Sequence, residues 1–165
     1  MHESEKDYRG FMKISSKGYY AIKALLDLAC HFSGNPIPLS VISKRQYIPL
    51  NYLEQIFVKL RRAGIVQSVR GPKGGYRLLR RPKEISIRSV IKALDISTAP
   101  VFCVDDSHAE KACEHLQGCI SYMLWKKLGV QITQLLDSIN LGDLITEAGK
   151  AKEKGILDHD YMFYI

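Results

Sequence analysis

The sequence predicts a mainly α chain with one small β-hairpin, closing on a long C-terminal helix. Three observations predict it. Apolar residues recur at three- and four-residue spacing in segments separated by Gly and Pro signals. A glycine-rich turn lies between two short runs with strand character. An apolar stripe then continues through residues 120–139.

The elements come in this order. Residues 1–11 read as a flexible polar extension, and Met12 opens the regular part of the chain. Ser15 reads as the N-cap of a helix reaching about Phe32, with Tyr20, Ala24, Leu25, Leu28, Ala29 and Phe32 on its apolar face. Gly34-Asn35-Pro36 stops it. A second short helix starts near Leu39 or Ser40, turns Val41 and Ile42 inward and breaks at Tyr47-Ile48-Pro49. A third helix over 50–63 buries Leu53, Ile56, Phe57 and Leu60, and Gly64 closes it in the left-handed conformation. Ile65-Val66-Gln67-Ser68-Val69 and Tyr76-Arg77-Leu78-Leu79 pair across Arg70-Gly71-Pro72-Lys73-Gly74-Gly75. A fourth helix over 85–94 buries Ile87, Val90, Ile91 and Leu94, and 95–118 is loop-like. The long helix runs from Cys119 to about Asn140, carrying Ile120, Leu124, Leu128, Ile132, Leu135, Leu136 and Ile139. Residues 146–158 read as polar and mobile, and the tail over 146–165 ends on Tyr161-Met162-Phe163-Tyr164-Ile165.

Charge separates the chain into two halves. Residues 1–94 carry 18 Lys and Arg against 6 Asp and Glu, whereas residues 95–165 carry 6 against 11. Between residues 59 and 83 there are nine basic residues and no acidic one, so the first half suits a polyanion. No run of 18 apolar residues suggests a membrane span, and the mixed-charge start is neither a secretory signal nor a transit peptide. The expected location is therefore the cytoplasm. No nucleophile–base pair stands out, and the glycine-rich turn lacks phosphate-loop spacing, so an enzyme is not expected.

Two helices joined by a break and followed by a basic hairpin form the order of a winged helix-turn-helix over residues 12–94. The third helix has the length to enter a major groove. Its outward Asn51, Tyr52, Gln55, Lys59, Arg61 and Arg62 include side chains suited to adenine, guanine or phosphate. Arg70 and Lys73 sit on the hairpin, placed for phosphates or a narrow minor groove.

The acidic half carries different chemistry. Cys103, Cys113 and Cys119 are spaced Cys-x9-Cys-x5-Cys, and all lie in a polar loop over 95–118 or at its end. Three thiolates can hold an iron–sulfur cluster with one further ligand, or zinc with a histidine such as His108 or His115; unligated, redox-active thiols are the alternative. Cys30, among apolar residues, reads instead as a small buried side chain. The stripe of the long helix (the segment 119–145 with its end) exceeds what one chain covers, which predicts a two-fold homodimer.

MKISSKGYYAIKALLDLA, LNYLEQIFVKLRRAGIVQSVRGPKGGYRL and CISYMLWKKL…LLDSINLGDLI resemble the IscR/NsrR/CymR family of bacterial winged-helix regulators over residues 12–145. The resemblance implies a homodimer that controls transcription by binding an imperfect palindrome in double-stranded DNA. It places Asn51, Glu54 and Gln55 at base edges, Arg70 in the minor groove, and Ser40, Tyr52, Arg61 and Lys73 at phosphates. It also aligns Cys103, Cys113 and Cys119 with the cysteines of a cluster-binding subgroup. The first cysteine gap is longer than in that subgroup. Tyr122 stands where its iron–sulfur biogenesis regulators have a ligating histidine, and Tyr19 where another branch has a ligand. The fourth ligand thus stays open among His108, His115, Glu114, Asp105, the N-terminal extension and an exogenous group, and so does the choice between 2Fe–2S and 4Fe–4S. The expected function is a dimeric transcription regulator sensing iron–sulfur, redox or nitric-oxide status. The alternatives are a cluster-free regulator of the same family, using thiols or a partner protein as sensor, and, more distantly, a small iron–sulfur electron carrier.

Overall fold

The computed structural model describes residues 15–31, 35–105 and 118–154. The expected N-terminal extension, Cys113, His108, His115, Glu114 and the aromatic tail lie outside them. Three helices come first: α1 (Ser16–Cys30), α2 (Leu39–Gln46) and α3 (Leu50–Arg62). The hairpin strands β1 (Val66–Val69) and β2 (Gly75–Leu78) come next, then α4 (Ile87–Ala93), α5 (Ile120–Ser138) and α6 (Leu141–Glu153). This is the predicted mainly α chain with one hairpin wing.

Local chemistry sets the boundaries. Ser15 Oγ accepts a hydrogen bond from the Gly18 N–H at 3.4 Å and caps α1. Gly64, at φ 68°, ends α3: its N–H donates to Arg61 O and that of Ile65 to Leu60 O, both at 3.0 Å. This double bond back into the last turn needs a left-handed residue, which glycine adopts without a Cβ penalty. It also turns the chain straight into β1.

One core joins these elements. Leu53, Ile56, Phe57 and Leu60 from α3 are fully buried, as are Ala21, Ala24 and Leu25 from α1. Val90 and Leu94 join them from the α4 region, with Ile65 and Val66 from the start of the hairpin. Each large aliphatic side chain buried here contributes about 1.5–3 kcal/mol. Val41 departs from expectation: it is exposed, and only Ile42 of that pair enters the core. Cys30 is likewise exposed rather than buried, because it occupies the last residue of α1 beyond the packed face.

The long helix differs in one respect from the expectation. Its apolar residues divide between two faces. Leu136 and Ile139 pack against the chain's own core, whereas Ile120, Met123, Leu124, Leu128 and Leu135 are exposed. The mobile polar tail expected from residue 146 onward does not begin there, because residues 141–153 form α6. Leu141 is fully buried, Leu144 and Ile145 pack on the core, and α6 lies against α1. The end of α5 is stitched to the start of α4: Ile87 N–H donates to Ile139 O at 2.9 Å, and Leu141 N–H to Ile85 O at 3.1 Å. Among the described residues, no helix is long and apolar enough to cross a membrane.

Candidate nucleic-acid interface and cysteine site

The outer face of α3 is formed by default. Once 53, 56, 57 and 60 are buried, helical spacing turns 51, 54, 55 and 61 to solvent. Asn51, Glu54, Gln55 and Arg61 are all exposed. Ser40 is exposed on the first turn of α2. Tyr52 is only half exposed, its ring set edge-on to Tyr20 with centroids 5.8 Å apart. Lys59 is drawn elsewhere. Its ammonium lies 2.5 Å from Asp95 Oδ2, which raises the lysine's pKa and lowers the aspartate's.

The wing is built by close backbone approach. β1 and β2 pair antiparallel, with Val66 opposite Leu78 and Val69 opposite Gly75. Arg70 and Lys73 are both exposed in the turn. A Cβ on Gly74 would fall 2.4 Å from Val69 O. A Cβ on Gly75 would fall 2.3 Å from the carbonyl carbon of Ile37. That space is needed because Ile37 pairs with Tyr76, each N–H donating to the other's carbonyl at 2.8 Å. Gly75 therefore lets the wing fasten to the strand-like entry of α2, while Gly74 lets the turn close on itself.

A buried polar cluster, missed in the sequence, fixes α2. The Asp27 side chain on α1 is wholly buried. It accepts hydrogen bonds from Arg45 Nη2 on one oxygen and from Gln46 Nε2, at 2.9 Å, on the other. His31 Nδ1 donates to the Asp27 carbonyl at 2.8 Å, and Arg45 Nη1 donates toward His31 Nε2 at 3.4 Å. The available sequence signal was a lone Asp within an otherwise apolar helix face.

Cys119 is the N-cap of α5 and Cys103 lies in a short 3₁₀ turn, Phe102–Val104, that packs along the same helix. The Ser121 hydroxyl is 3.1 Å from Cys119 Sγ. That hydrogen bond, together with the Tyr122 and Ser121 backbone N–H groups, lowers the Cys119 thiol pKa. A stabilised thiolate is the form that binds metal. Although Cys30 reaches solvent, desolvation by the packed end of α1 and then the Asp27 carboxylate push its thiol the opposite way. Among the described residues, no three His, Cys, Asp or Glu side chains converge into a metal-ready group. An open groove of about 820 Å³ lies between α4, the 95–105 segment and α5. Val104, Asp105, Tyr122 and Lys126 are among the residues that line it.

Residues 14–147 match the family described as "Rrf2: Iron-dependent Transcriptional regulator". The chain is 47% identical over 136 residues to the HTH-type transcriptional regulator IscR of Aliivibrio salmonicida, covering 82% of this chain and 79% of that protein. It is 46% identical to IscR of Vibrio cholerae over 136 residues, covering 82% and 76% respectively. Among solved structures it resembles T. potens IscR, with a TM-score of 0.68 and 34% identity over 92% of this chain and 96% of that one. It also resembles CymR, the global cysteine regulator of B. subtilis, with a TM-score of 0.70 and 30% identity over 83% and 98%.

Proposed function

The chain belongs to the Rrf2 family of transcriptional regulators, and from that membership we propose that it acts as a cytoplasmic homodimer reading palindromic DNA under control of an iron–sulfur cluster. The observation that carries the DNA reading is one shared core that supports two exposed surfaces. Asn51, Glu54 and Gln55 share the outer face of α3, while Arg70 and Lys73 project from a wing pinned to the same core. The α3 side chains suit base edges in a major groove, and Arg70 suits a minor groove; Ser40, Tyr52, Arg61 and Lys73 add phosphate contacts.

The dimer reading rests on the exposed apolar residues of α5. Leu124 and Leu135 are each 60% exposed and Ile120 is 83% exposed, on a helix that meets the chain's own core through Leu136 near its end. A second copy covers that face and presents two recognition helices to two half-sites.

For the cluster, the donor chemistry fits. Cys119 is held toward the thiolate at a helix start, and the Cys103 turn packs on the same helix. Cys103, Cys113 and Cys119 are the proposed ligands. When bound, the cluster supplies a redox- and iron-responsive group. The protein's part is to hold thiolates and to join the loop to the reading head. One contact supports that link: Asp95, at the start of the loop, is paired with Lys59 of α3. Only a difference in DNA affinity between the two states switches a gene.

Two measurements test the reading. Selection of duplexes from a random library should return an imperfect palindrome; duplexes without dyad symmetry refute dimeric reading. Anaerobic reconstitution should yield coloured protein containing iron and sulfide. Folded but colourless protein, with iron-independent DNA binding, returns the function to a cluster-free regulator.

A further inference from the structure

We propose that Asp27 is a positioning residue for DNA recognition: its buried carboxylate sets the angle of the recognition helix by gripping the last turn of α2. The proposal rests on the DNA-binding reading above. Asp27 contacts no solvent, and both of its oxygens are spent on consecutive residues, Arg45 and Gln46, at the end of α2. Gln46 is itself only 3% exposed. Its carbonyl accepts from Lys23 Nζ at 3.3 Å, so α1 grips this residue at both its side chain and its backbone.

The link from Gln46 to α3 has little slack. Tyr47 is in the left-handed conformation at φ 52°, and Ser43 Oγ donates to Ile48 O at 2.6 Å. The Ile48 N–H returns a bond to Ser43 O at 3.1 Å. Leu50 then begins α3. Any roll of α2 on α1 is therefore passed to the helix that carries Asn51, Glu54 and Gln55.

Stability alone does not call for this arrangement. A buried ion pair is often matched or exceeded by apolar residues of the same volume. Here Arg45 Nε is also buried with no partner among the described residues. What apolar packing lacks is direction. Two oxygens bonded to two neighbouring side chains define one orientation of α2, whereas a greasy contact tolerates several.

Three variants test this against the wild-type-selected duplex and against poly(dI-dC) at one salt concentration. In Asp27→Asn, affinity for the selected duplex should fall at least about tenfold while affinity for poly(dI-dC) stays within about twofold, since non-specific binding follows the basic charge of the surface, which the variant leaves in place, rather than the angle of one helix. The double variant D27L/R45M removes both charges and keeps the volume. It should melt at or above Asp27→Asn yet keep the collapsed ratio of specific to non-specific affinity. Gln46→Met, the mildest change, should show a smaller loss in the same direction. A purely structural Asp27 would lower melting temperature and leave that ratio intact in the folded protein. Recovery of the wild-type ratio in D27L/R45M overturns the proposal, as does failure of all three variants to fold. Absence of any selected duplex for the wild type would instead refute the DNA reading.

Discussion

Replacing Gly75 with alanine should damage the wing in a way that can be calculated. The added Cβ would stand 2.3 Å from the Ile37 carbonyl carbon, 2.4 Å from its oxygen and 2.6 Å from Pro38 N. All three are backbone atoms, so no side-chain rotation relieves the clash. The Ile37 segment must withdraw, and the two 2.8 Å hydrogen bonds it exchanges with Tyr76 are lost. Those bonds contribute about 1 kcal/mol each. Forcing a side chain onto φ 155° costs about 1–3 kcal/mol more. A loss near 4 kcal/mol lowers the melting temperature of a chain this size by about 10 °C. Gly71 supplies the first control, because at φ 113° its Cβ would meet nothing within 4 Å. Gly71→Ala should therefore lose only the conformational part, about 1–3 kcal/mol. Gly149 supplies the second, being a helical position in α6 with open space around it. Gly149→Ala should gain about 0.5–1 kcal/mol. Thermal unfolding monitored by circular dichroism should rank Gly149→Ala above wild type, then Gly71→Ala, then Gly75→Ala. A Gly75→Ala protein melting with wild type, or above Gly71→Ala, would refute the close-approach argument.

Further consequences can be checked in parallel. Leu124→Glu places a charge on an exposed position of α5, so sedimentation should show monomers with an unchanged circular dichroism spectrum; an intact dimer would remove this face from the interface. Leu141→Ala empties a fully buried site and should cost about 2–5 kcal/mol in urea unfolding, whereas a loose α6 would make it nearly silent. Arg70→Ala should weaken binding of the selected duplex and relax preference at the base step beneath the wing, and equal affinity and preference in a salt-controlled shift assay would exclude that contact. Alkylation tracks the thiolate, and the pKa of Cys119 is lowered while that of Cys30 is raised. In metal-free protein, Cys119 should reach half its maximal iodoacetamide rate at a lower pH than Cys30, and the reverse order would contradict the N-cap geometry.

How much of the molecule is legible in its sequence depends on physical range. The burial of Leu53, Ile56, Phe57 and Leu60 and the stop at Gly64 are written in local spacing and in one residue's conformational freedom, so both are legible. The hairpin is legible for the same reason, although the need for Gly75 is not: it depends on Ile37, nearly forty positions earlier. α6 is obscured because its apolar side is short, Leu141, Leu144 and Ile145, and gains meaning only against α1. Lys59 looks like another basic residue facing DNA until the fold brings Asp95 beside it. Asp27 is invisible as a site because its partners lie on a different helix. Of the cysteine site, the ligand candidates are readable by type, and Cys119 by its place at a helix start.

The seam that ties Ile139 and Leu141 to Ile85 and Ile87 has a mechanical consequence. It makes α5 a lever fixed at one end to the reading head, with Cys119 at the other. Nineteen residues at about 1.5 Å each give an arm of roughly 28 Å. Swinging such an arm by about 5° moves its tip by roughly 2.5 Å, a large fraction of the ~3.4 Å rise between base pairs. In the proposed dimer, with two such levers meeting at their apolar faces, a small change of crossing angle would reset the distance between the two heads. The spacing of half-sites in that dimer would then depend on a helix outside the reading head.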